Sequence, residues 1–305
     1  MFAFLNPVAA SYAVGGAVAA TGMAALVRRG DWARTRQLEN LILLGPLFYA
    51  APVAAFGTEH FTQSGTIAAM VPRFIPWHLF WAYLVGAGFI AAGFSLVTRI
   101  QARLAASLLA LTFFVFVATM DLPAWITHPS NRFALALALR ELTFGAGALA
   151  LASTFTSEGS ARRTMASIAR YCIAITILVY SLEQFLHGDH VPAVPLNFLT
   201  PAWVIGHSLW TYLAAVVYAI AGILLLAGKH TRAAAAWLGL TILAVELAVY
   251  VPMAFVQHTD LTGLNFAGDT LMFCGAVLLL AGAMPSVPFQ APPGLTTPSR
   301  QTAIP

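Results

Sequence analysis

The stretch His78-Leu79-Phe80-Trp81-Ala82-Tyr83-Leu84 returns 129 residues later as His207-Ser208-Leu209-Trp210-Thr211-Tyr212-Leu213. The same spacing relates Ala92-Gly93 to Ala221-Gly222, Arg103 to Arg232 and Pro123 to Pro252, without a gap. Self-similarity held over such a length predicts a duplicated structural unit. The unit has to be identified before any single residue is interpreted.

The composition predicts a membrane protein. Hydrophobic residues make up 60% of the 305-residue chain and charged residues only 9%, whereas a soluble domain carries about 25% charged residues. Such a chain cannot cover a water-facing surface, so we expect many passes through a lipid bilayer. Its basic residues stand in short clusters between apolar runs, which is typical of topology signals and argues against a nucleic-acid partner. Cys172 and Cys274 lie in apolar segments and indicate no disulfide framework.

Nine apolar segments approach the roughly 20 residues that a membrane helix needs. We therefore predict an all-α membrane protein, because helices satisfy their own backbone groups in lipid and the alternating segments of a barrel are missing from the sequence. The predicted spans are residues 6–27, 39–58, 76–98, 103–123, 134–155, 165–187, 202–227, 232–256 and 265–284.

The spans divide into an N-terminal helix and two repeats of four helices. We assign residues 1–38 to the first helix and a cytoplasmic loop, 39–158 to the first repeat and 159–285 to the second repeat. Residues 286–305 are rich in Pro, Ser and Thr and are predicted to be a disordered tail. Because each repeat has an even number of spans, both repeats run in the same direction, as parallel repeats of some transporters do. We expect two four-helix bundles side by side, with the first helix as an accessory.

The distribution of Lys and Arg predicts the orientation. With the N-terminus outside, twelve basic residues fall on the inner side and only Arg73, Arg132 and Arg140 on the outer side. This bias follows the positive-inside rule. It predicts a multi-pass protein with the N-terminus outside and the C-terminus in the cytoplasm, and we take a bacterial inner membrane as its expected location.

Several motifs of the first repeat resemble the DoxX-like family of small integral membrane proteins. They are Glu59-His60-Phe61, Val71-Pro72, Pro76-Trp77-His78-Leu79-Phe80-Trp81-Ala82-Tyr83, Ala92-Gly93, Pro123 and Glu141, and they span about residues 40–155. The second repeat resembles the family more weakly. It keeps Glu183, Phe185, Pro195, His207, Trp210, Tyr212 and Pro252, and it has Gln184 where the first repeat has His60.

The resemblance implies a four-helix membrane fold, from which the duplication and the extra first helix depart. Some members of the family are linked to quinone-coupled redox systems, including thiosulfate oxidation. The resemblance therefore implies a quinone as cofactor and a redox partner protein as expectations. Most members have no established activity, and the resemblance leaves open whether the chain is an enzyme.

Histidines and carboxylates gather toward the predicted outer ends of the helices. The candidates for proton relay or ligand binding are Glu59, His60, His78, Glu141, Glu183, His187, His207, Glu246 and Asp269. We expect two recurring pairs, Glu59 with His78 and Glu183 with His207, because a Glu–His pair can transfer protons. Two alternatives stay open: an interfacial position, which headgroups tolerate, and a purely structural hydrogen bond between helices.

Glu246 lies near the middle of its predicted helix, where an ionised acid costs about 2.5–3.5 kcal/mol. It is either a protonated packing residue or part of a pathway. The aromatic side chains Trp81, Tyr83, Trp210 and Tyr212 form either an interfacial belt or a flat apolar pocket for a quinone ring.

A metal is a weak candidate. Glu183, His187 and His190 have a spacing that could share one face of a helix, but Gly188 interrupts it and the first repeat has no equivalent. Haem is disfavoured because these histidines lie near helix ends, and a membrane b-type haem takes facing histidines deep in a bundle.

The sequence as a whole thus predicts a DoxX-like protein with an outward-facing Glu/His pocket in each half, associated with quinone-linked or other redox processes. The alternative is a small-solute transporter whose two repeats move against each other. A third hypothesis is a non-catalytic membrane assembly subunit.

Overall fold

A computed structural model describes residues 6–35, 37–194, 198–259 and 261–285, with the exception of the His207 side chain. The predicted tail, residues 286–305, and Pro195 of the second-repeat motif lie outside these ranges. Within them the chain is helical, and one isolated bridge joins His190 to Leu199.

Nine helices in the described ranges are long and apolar enough to cross a membrane. We number them α1 (Pro7–Arg29), α2 (Leu38–Thr62), α3 (His78–Thr98), α4 (Ala102–Thr127), α5 (Arg132–Thr154), α6 (Ser160–Leu186), α7 (His207–Ala227), α8 (Thr231–Val256) and α9 (Leu261–Ala283). Each predicted span corresponds to one of them, so the predicted all-α membrane fold is confirmed. These helices imply contact with the lipid bilayer.

Three helix starts differ from the prediction by four residues or more. Helix α9 begins at Leu261 and not at residue 265. Helix α7 begins at His207 and not at residue 202, because Gly206 before it has a left-handed backbone with φ 80°. Helix α6 begins at Ser160 and not at residue 165. Its first turns carry Arg162 and Arg163, so hydrophobicity alone does not mark them as helical.

Helices α4 and α8 share one irregularity. A π-helical turn occupies Val117–Asp121 in α4 and Glu246–Tyr250 in α8. A proline follows at the second position of each final turn, Pro123 and Pro252. Because proline lacks an N–H group and clashes with the carbonyl four residues earlier, the wider turn accommodates it. Such π-bulges are frequent at functional sites.

The helix bounds repeat along the chain. Every bound of α3, α4 and α5, including the π-helical turn, reappears in α7, α8 and α9 at the 129-residue spacing of the sequence repeat. The left-handed residues that flank these helices follow the same spacing. They are Trp77 and Gly206, Arg99 and Gly228, and Gln101 and His230.

The two sets of four helices interlock. Helices α2 to α5 pack in chain order, and so do α6 to α9. The fourth helix of each set also packs against the first helix of the other set, α9 against α2 and α5 against α6, and α5 packs against α9. Helix α1 packs on α2 and α3. The expected pair of separate side-by-side bundles is therefore replaced by two sets that share a central layer of α5 and α9.

Small residues allow this central crossing. A Cβ atom on Gly147 of α5 would lie 2.5 Å from the Cα of Ala276 on α9. These two residues are equivalent in the 129-residue spacing, so α5 and α9 cross where equivalent positions meet. Close packing of small residues is what holds helices together in lipid, where hydrophobicity gives no preference for protein contact.

Candidate functional site: a carboxylate cluster around Arg140

An ion pair joins the two central helices. The guanidinium of Arg140 on α5 donates to Oδ2 of Asp269 on α9, and these residues are equivalent in the 129-residue spacing. Side-chain exposures of 16% and 9% show that both groups are largely buried. A second nitrogen of Arg140 lies 3.7 Å from Oε1 of Glu141. The pair thus places one cation at the centre of the molecule, between the two halves.

Four further carboxyl groups surround this pair. Asp121, from the π-helical turn of α4, and Glu141 are electrostatic neighbours of each other and of Arg140. Glu59 of α2 and Glu246 of α8 are neighbours of Asp269. We call these five acids and Arg140 the Arg140 cluster. Since one guanidinium cannot compensate five buried negative charges, some of these carboxyls hold a proton.

Part of the cluster has unmet hydrogen-bonding capacity. Asp121 Oδ2, Glu141 Oε2, Arg140 Nε and Trp125 Nε1 are buried without a hydrogen-bond partner in the described structure. Trp125 lies one turn after Asp121, on the final turn of α4 that packs against α5. Asp121 and Glu141 bond to each other when one of them is protonated, so Arg140 Nε and Trp125 Nε1 are the donors that remain without a partner. Buried polar atoms nearly always have partners, so these donors favour a polar ligand or water nearby. We call these four residues the first-repeat pocket.

The end of α2 faces the central layer. Once the side-chain amide of Asn265 on α9 is oriented to satisfy both of its ends, its nitrogen donates to Glu59 Oε1 at 2.7 Å. His60 Nδ1 lies 2.9 Å from the carbonyl oxygen of Phe56, and its ring meets Phe89 edge-on at 5.5 Å. His78 is half-buried at the start of α3 and forms no hydrogen bond or ion pair with Glu59 in the described residues. Glu59 turns inward to α9, and the expected Glu59/His78 contact is not formed.

The equivalent acid of the second repeat has another partner. Glu183 Oε2 accepts a hydrogen bond from Arg132 Nε at 2.7 Å and lies 3.8 Å from His187 Nε2. The expected partner, the side chain of His207, lies outside the description. The charge of Glu183 is therefore compensated by an arginine at the start of α5.

The weak metal candidate does not form. The described residues contain no group of three His, Cys, Asp or Glu side chains suited to a metal ion. The rings of His187 and His190 lie 5.4 Å apart, but Arg132 takes the carboxylate of Glu183. His190 Nδ1 lies 2.8 Å from Oδ1 of the exposed Asp189. That hydrogen bond lowers the pKa of the Asp189 carboxyl below its usual value.

The predicted aromatic residues serve local contacts. The hydroxyl of Tyr83 donates to Ser64 Oγ at 3.3 Å, and Trp210 Nε1 donates to the carbonyl oxygen of Ile205 at 3.0 Å. Trp81 and Tyr212 are exposed. This arrangement suits an interfacial belt, and the aromatic ring in contact with the Arg140 guanidinium is that of Phe144, whose centroid lies 5.8 Å from Arg140 Cζ.

Sequence reasoning overlooked Asp121, Trp125 and Arg140 as site residues. One available signal was that Arg140 and Asp269, of opposite charge, are equivalent in the repeat. Another was the position of Asp121 two residues before a proline within an apolar span. Glu141, Asp269, Glu59 and Glu246 were predicted and do come together in the Arg140 cluster.

The nine membrane-length helices found among the described residues, together with the buried charged centre between them, define a multi-pass α-helical membrane protein. Residues 165–251 match the model of the DoxX family. The recognition of a DoxX-like membrane protein from its sequence is thus confirmed for the segment from α6 into α8. This segment belongs to the second repeat, although the quoted motifs are stronger in the first. No curated protein and no solved structure matches the chain.

Proposed function

We propose that this DoxX-like protein binds the head group of a quinone in the first-repeat pocket and exchanges protons there in association with a redox partner protein. The observation that carries the proposal is the set of buried polar atoms on Asp121, Trp125, Arg140 and Glu141 that have no partner in the described structure while both carboxyls are ionised. A bound quinone would supply two-electron, two-proton redox chemistry, with electrons from the partner.

The chemistry of the pocket residues fits such a head group. The N–H groups of Arg140 and Trp125 are donors that suit carbonyl oxygens. Asp121 and Glu141 accept hydrogen bonds when ionised and donate when protonated, so they suit both carbonyl and hydroxyl oxygens. The indole of Trp125 adds an apolar face for a ring.

The remaining acids support a route for protons. Glu59 lies three residues before the end of α2 and is a neighbour of Asp269, which is bound to Arg140. Carboxyls that cannot all ionise at once pass protons between them as one is charged or neutralised. The Arg140 cluster therefore offers exchange between the pocket and the end of α2.

The proposed setting is a bacterial inner membrane with the N-terminus outside. It is supported by the excess of basic residues on the other side. The identical spacing of helix bounds and left-handed residues supports a duplicated unit as the origin of the two repeats.

A thermal-shift experiment tests the ligand. Purified protein is heated with and without decylubiquinone, and native quinone is extracted and assayed. A ligand at about 100 times its Kd stabilises a protein by about 2.7 kcal/mol, so we expect the midpoint of unfolding to rise by several degrees. The rise should be lost in Asp121→Asn and Glu141→Gln. It should persist in Glu158→Gln, which alters an exposed acid whose side chain is 92% accessible. No rise in the unaltered protein would reject the proposal.

A second candidate function is transport of a small solute or of protons, and Glu246 favours it. This acid is 3% exposed, its Oε2 has no partner in the described structure, and it is a neighbour of Asp269. Glu59, Asp269 and Glu246 thus extend from a helix end toward the middle of the bundle. Flux into proteoliposomes that disappears in Glu246→Gln would place this function first.

If the substitutions in the Arg140 cluster change only the abundance of the protein or its binding to a partner, the third hypothesis, an assembly subunit, would replace both.

A further inference from the structure

Residues 191–194, in the connection between α6 and α7, lie in the protein interior. Val191 and Ala193 are fully buried and Val194 is 1% exposed, although connecting segments normally run over the surface. Ala193 also has a left-handed backbone with φ 66°, a conformation that disfavours any residue with a Cβ atom. Residues 191–194 are therefore held in place by their surroundings.

Three helices hold this segment by its backbone. The hydroxyl of Tyr250 on α8 donates to the carbonyl oxygen of Pro192 at 2.5 Å. Thr270 Oγ1 on α9 donates to the carbonyl oxygen of Val194 at 3.2 Å. The backbone N–H of Ala193 donates to Gln184 Oε1 on α6 at 3.4 Å. These bonds satisfy groups that burial would otherwise leave without partners.

The two residues whose hydroxyls bond the segment are equivalent to two residues of the first-repeat pocket. Tyr250 lies 129 residues after Asp121, and Thr270 lies 129 residues after Glu141. The bounds of their helices, α8 and α9, are likewise 129 residues after those of α4 and α5. Where the first repeat has two carboxyls with orphaned oxygens, the second repeat has two hydroxyls bonded to residues 191–194. The segment thus lies in the place that is equivalent to the first-repeat pocket.

The first repeat has no such segment in its corresponding connection. Between α2 and α3 the chain forms a short helix, Ser64–Met70, which has no buried residue and packs on α3. The side chain of Glu141 is 17% exposed, whereas Thr270 is 0% exposed. The two equivalent places therefore differ in access.

We propose that residues 191–194 are a built-in plug of the second repeat, so that of the two equivalent places only the first-repeat pocket takes a small molecule. The identity of the ligand rests on the proposed function, but the plug does not. Gene duplication would otherwise give two equivalent sites.

A pair of cysteine substitutions at equivalent positions tests the plug without any ligand. Glu141→Cys and Thr270→Cys are each made in a Cys172→Ser, Cys274→Ala background and treated with methyl methanethiosulfonate, which is small and uncharged and reaches sites from water or lipid. We expect Thr270→Cys to react at least ten times more slowly. Thr270→Cys itself removes one hydrogen bond to the plug. Any loosening that this causes would speed the reaction of this cysteine and so work against the expected difference. Equal rates would overturn the proposal.

Loosening the plug should then expose the protected site. Adding Tyr250→Phe removes the bond to Pro192 and should speed the labelling of Thr270→Cys. Adding Tyr83→Phe removes a hydroxyl that bonds Ser64, far from the plug in sequence, and should leave the rate unchanged. Acceleration by both or by neither would contradict an anchoring role for Tyr250.

Titration of the unaltered protein with decylubiquinone separates this inference from the proposed function. We expect one site per chain. Two sites per chain would overturn the plug and keep the proposed function. Absence of binding would reject the proposed function, while the difference in cysteine labelling would still support the plug.

Discussion

At the scale of single residues, the Arg140–Asp269 ion pair is the contact with the largest expected effect. Removing one partner of a buried pair leaves an uncompensated charge and costs about 3–5 kcal/mol. We expect Arg140→Gln and Asp269→Asn each to lower the free energy of unfolding by an amount of this order. Titration with sodium dodecyl sulfate in mixed micelles measures it.

Because Arg140 and Asp269 are equivalent in the repeat, we expect that their charges can be exchanged. Because Arg140 and Asp269 meet across the crossing of equivalent helices, exchanging their charges keeps an ion pair in the same place. The double variant Arg140→Asp, Asp269→Arg should recover most of the stability that Arg140→Asp alone loses. A double variant less stable than either single variant would show that the pair depends on its individual neighbours, such as Glu141, whose Oε1 lies 3.7 Å from Arg140.

The residue that directly follows α3, and its equivalent after α7, both have a left-handed backbone. Arg99 and Gly228 are equivalent and have φ 64° and 67°. A left-handed conformation costs a residue with a Cβ atom about 1–2 kcal/mol. We therefore expect Gly228→Ala to destabilise and Arg99→Gly to stabilise the protein, each by about 1 kcal/mol, in the same unfolding titration. The second variant also loses the Arg99–Asp31 ion pair, but the Arg99 side chain is 54% exposed and Asp31 keeps its ion pair with Arg29, so this loss should be small.

At the scale of helices, the π-helical turns position the acids, and their prolines can be tested separately. Pro123→Ala removes the cause of the wide turn in α4, so the turn can tighten and rotate Asp121 away from Glu141. We expect quinone affinity to fall about ten-fold while the protein stays folded, measured by titration in detergent. Pro252→Ala is the matched control in α8. An equal loss of affinity in both variants would contradict a specific role for the α4 turn.

The helices show what the sequence could predict and what it could not. Nine spans follow from local hydrophobicity, and this property depends only on neighbours in the chain. The direction in which an acid points depends on packing and on the π-helical turn, so Glu59 faces Asn265 and not His78. Residues 191–194 are too few to form a span and therefore read as an ordinary loop, although tertiary contacts bury them.

At the scale of the whole molecule, the two repeats depend on each other. The fourth helix of each repeat packs against the first helix of the other repeat, α5 against α6 and α9 against α2. The Arg140 cluster needs this packing, since its residues come from α2, α4, α5, α8 and α9. The first repeat alone would keep Arg140 but lose its ion-pair partner Asp269, and the second repeat alone would keep Asp269 and Glu246 without the cation. The interlocking therefore explains how a duplicated unit can gain one central charged site that neither copy has alone.

The crossing of α5 and α9 should accordingly make the whole molecule sensitive to a single methyl group. Gly147→Ala places a Cβ atom 2.5 Å from backbone and side-chain atoms of Ala276, so the helices must separate and the Arg140–Asp269 contact must lengthen. We expect a loss of stability of about 1–3 kcal/mol, typical of overpacking, together with weaker quinone binding. Gly88→Ala on α3 is the matched control, because nothing lies within 4 Å of its Cβ position, and alanine there should be neutral or stabilising. If both variants behave alike, the halves are not held together at this crossing, and the charged centre must be assembled by contacts elsewhere.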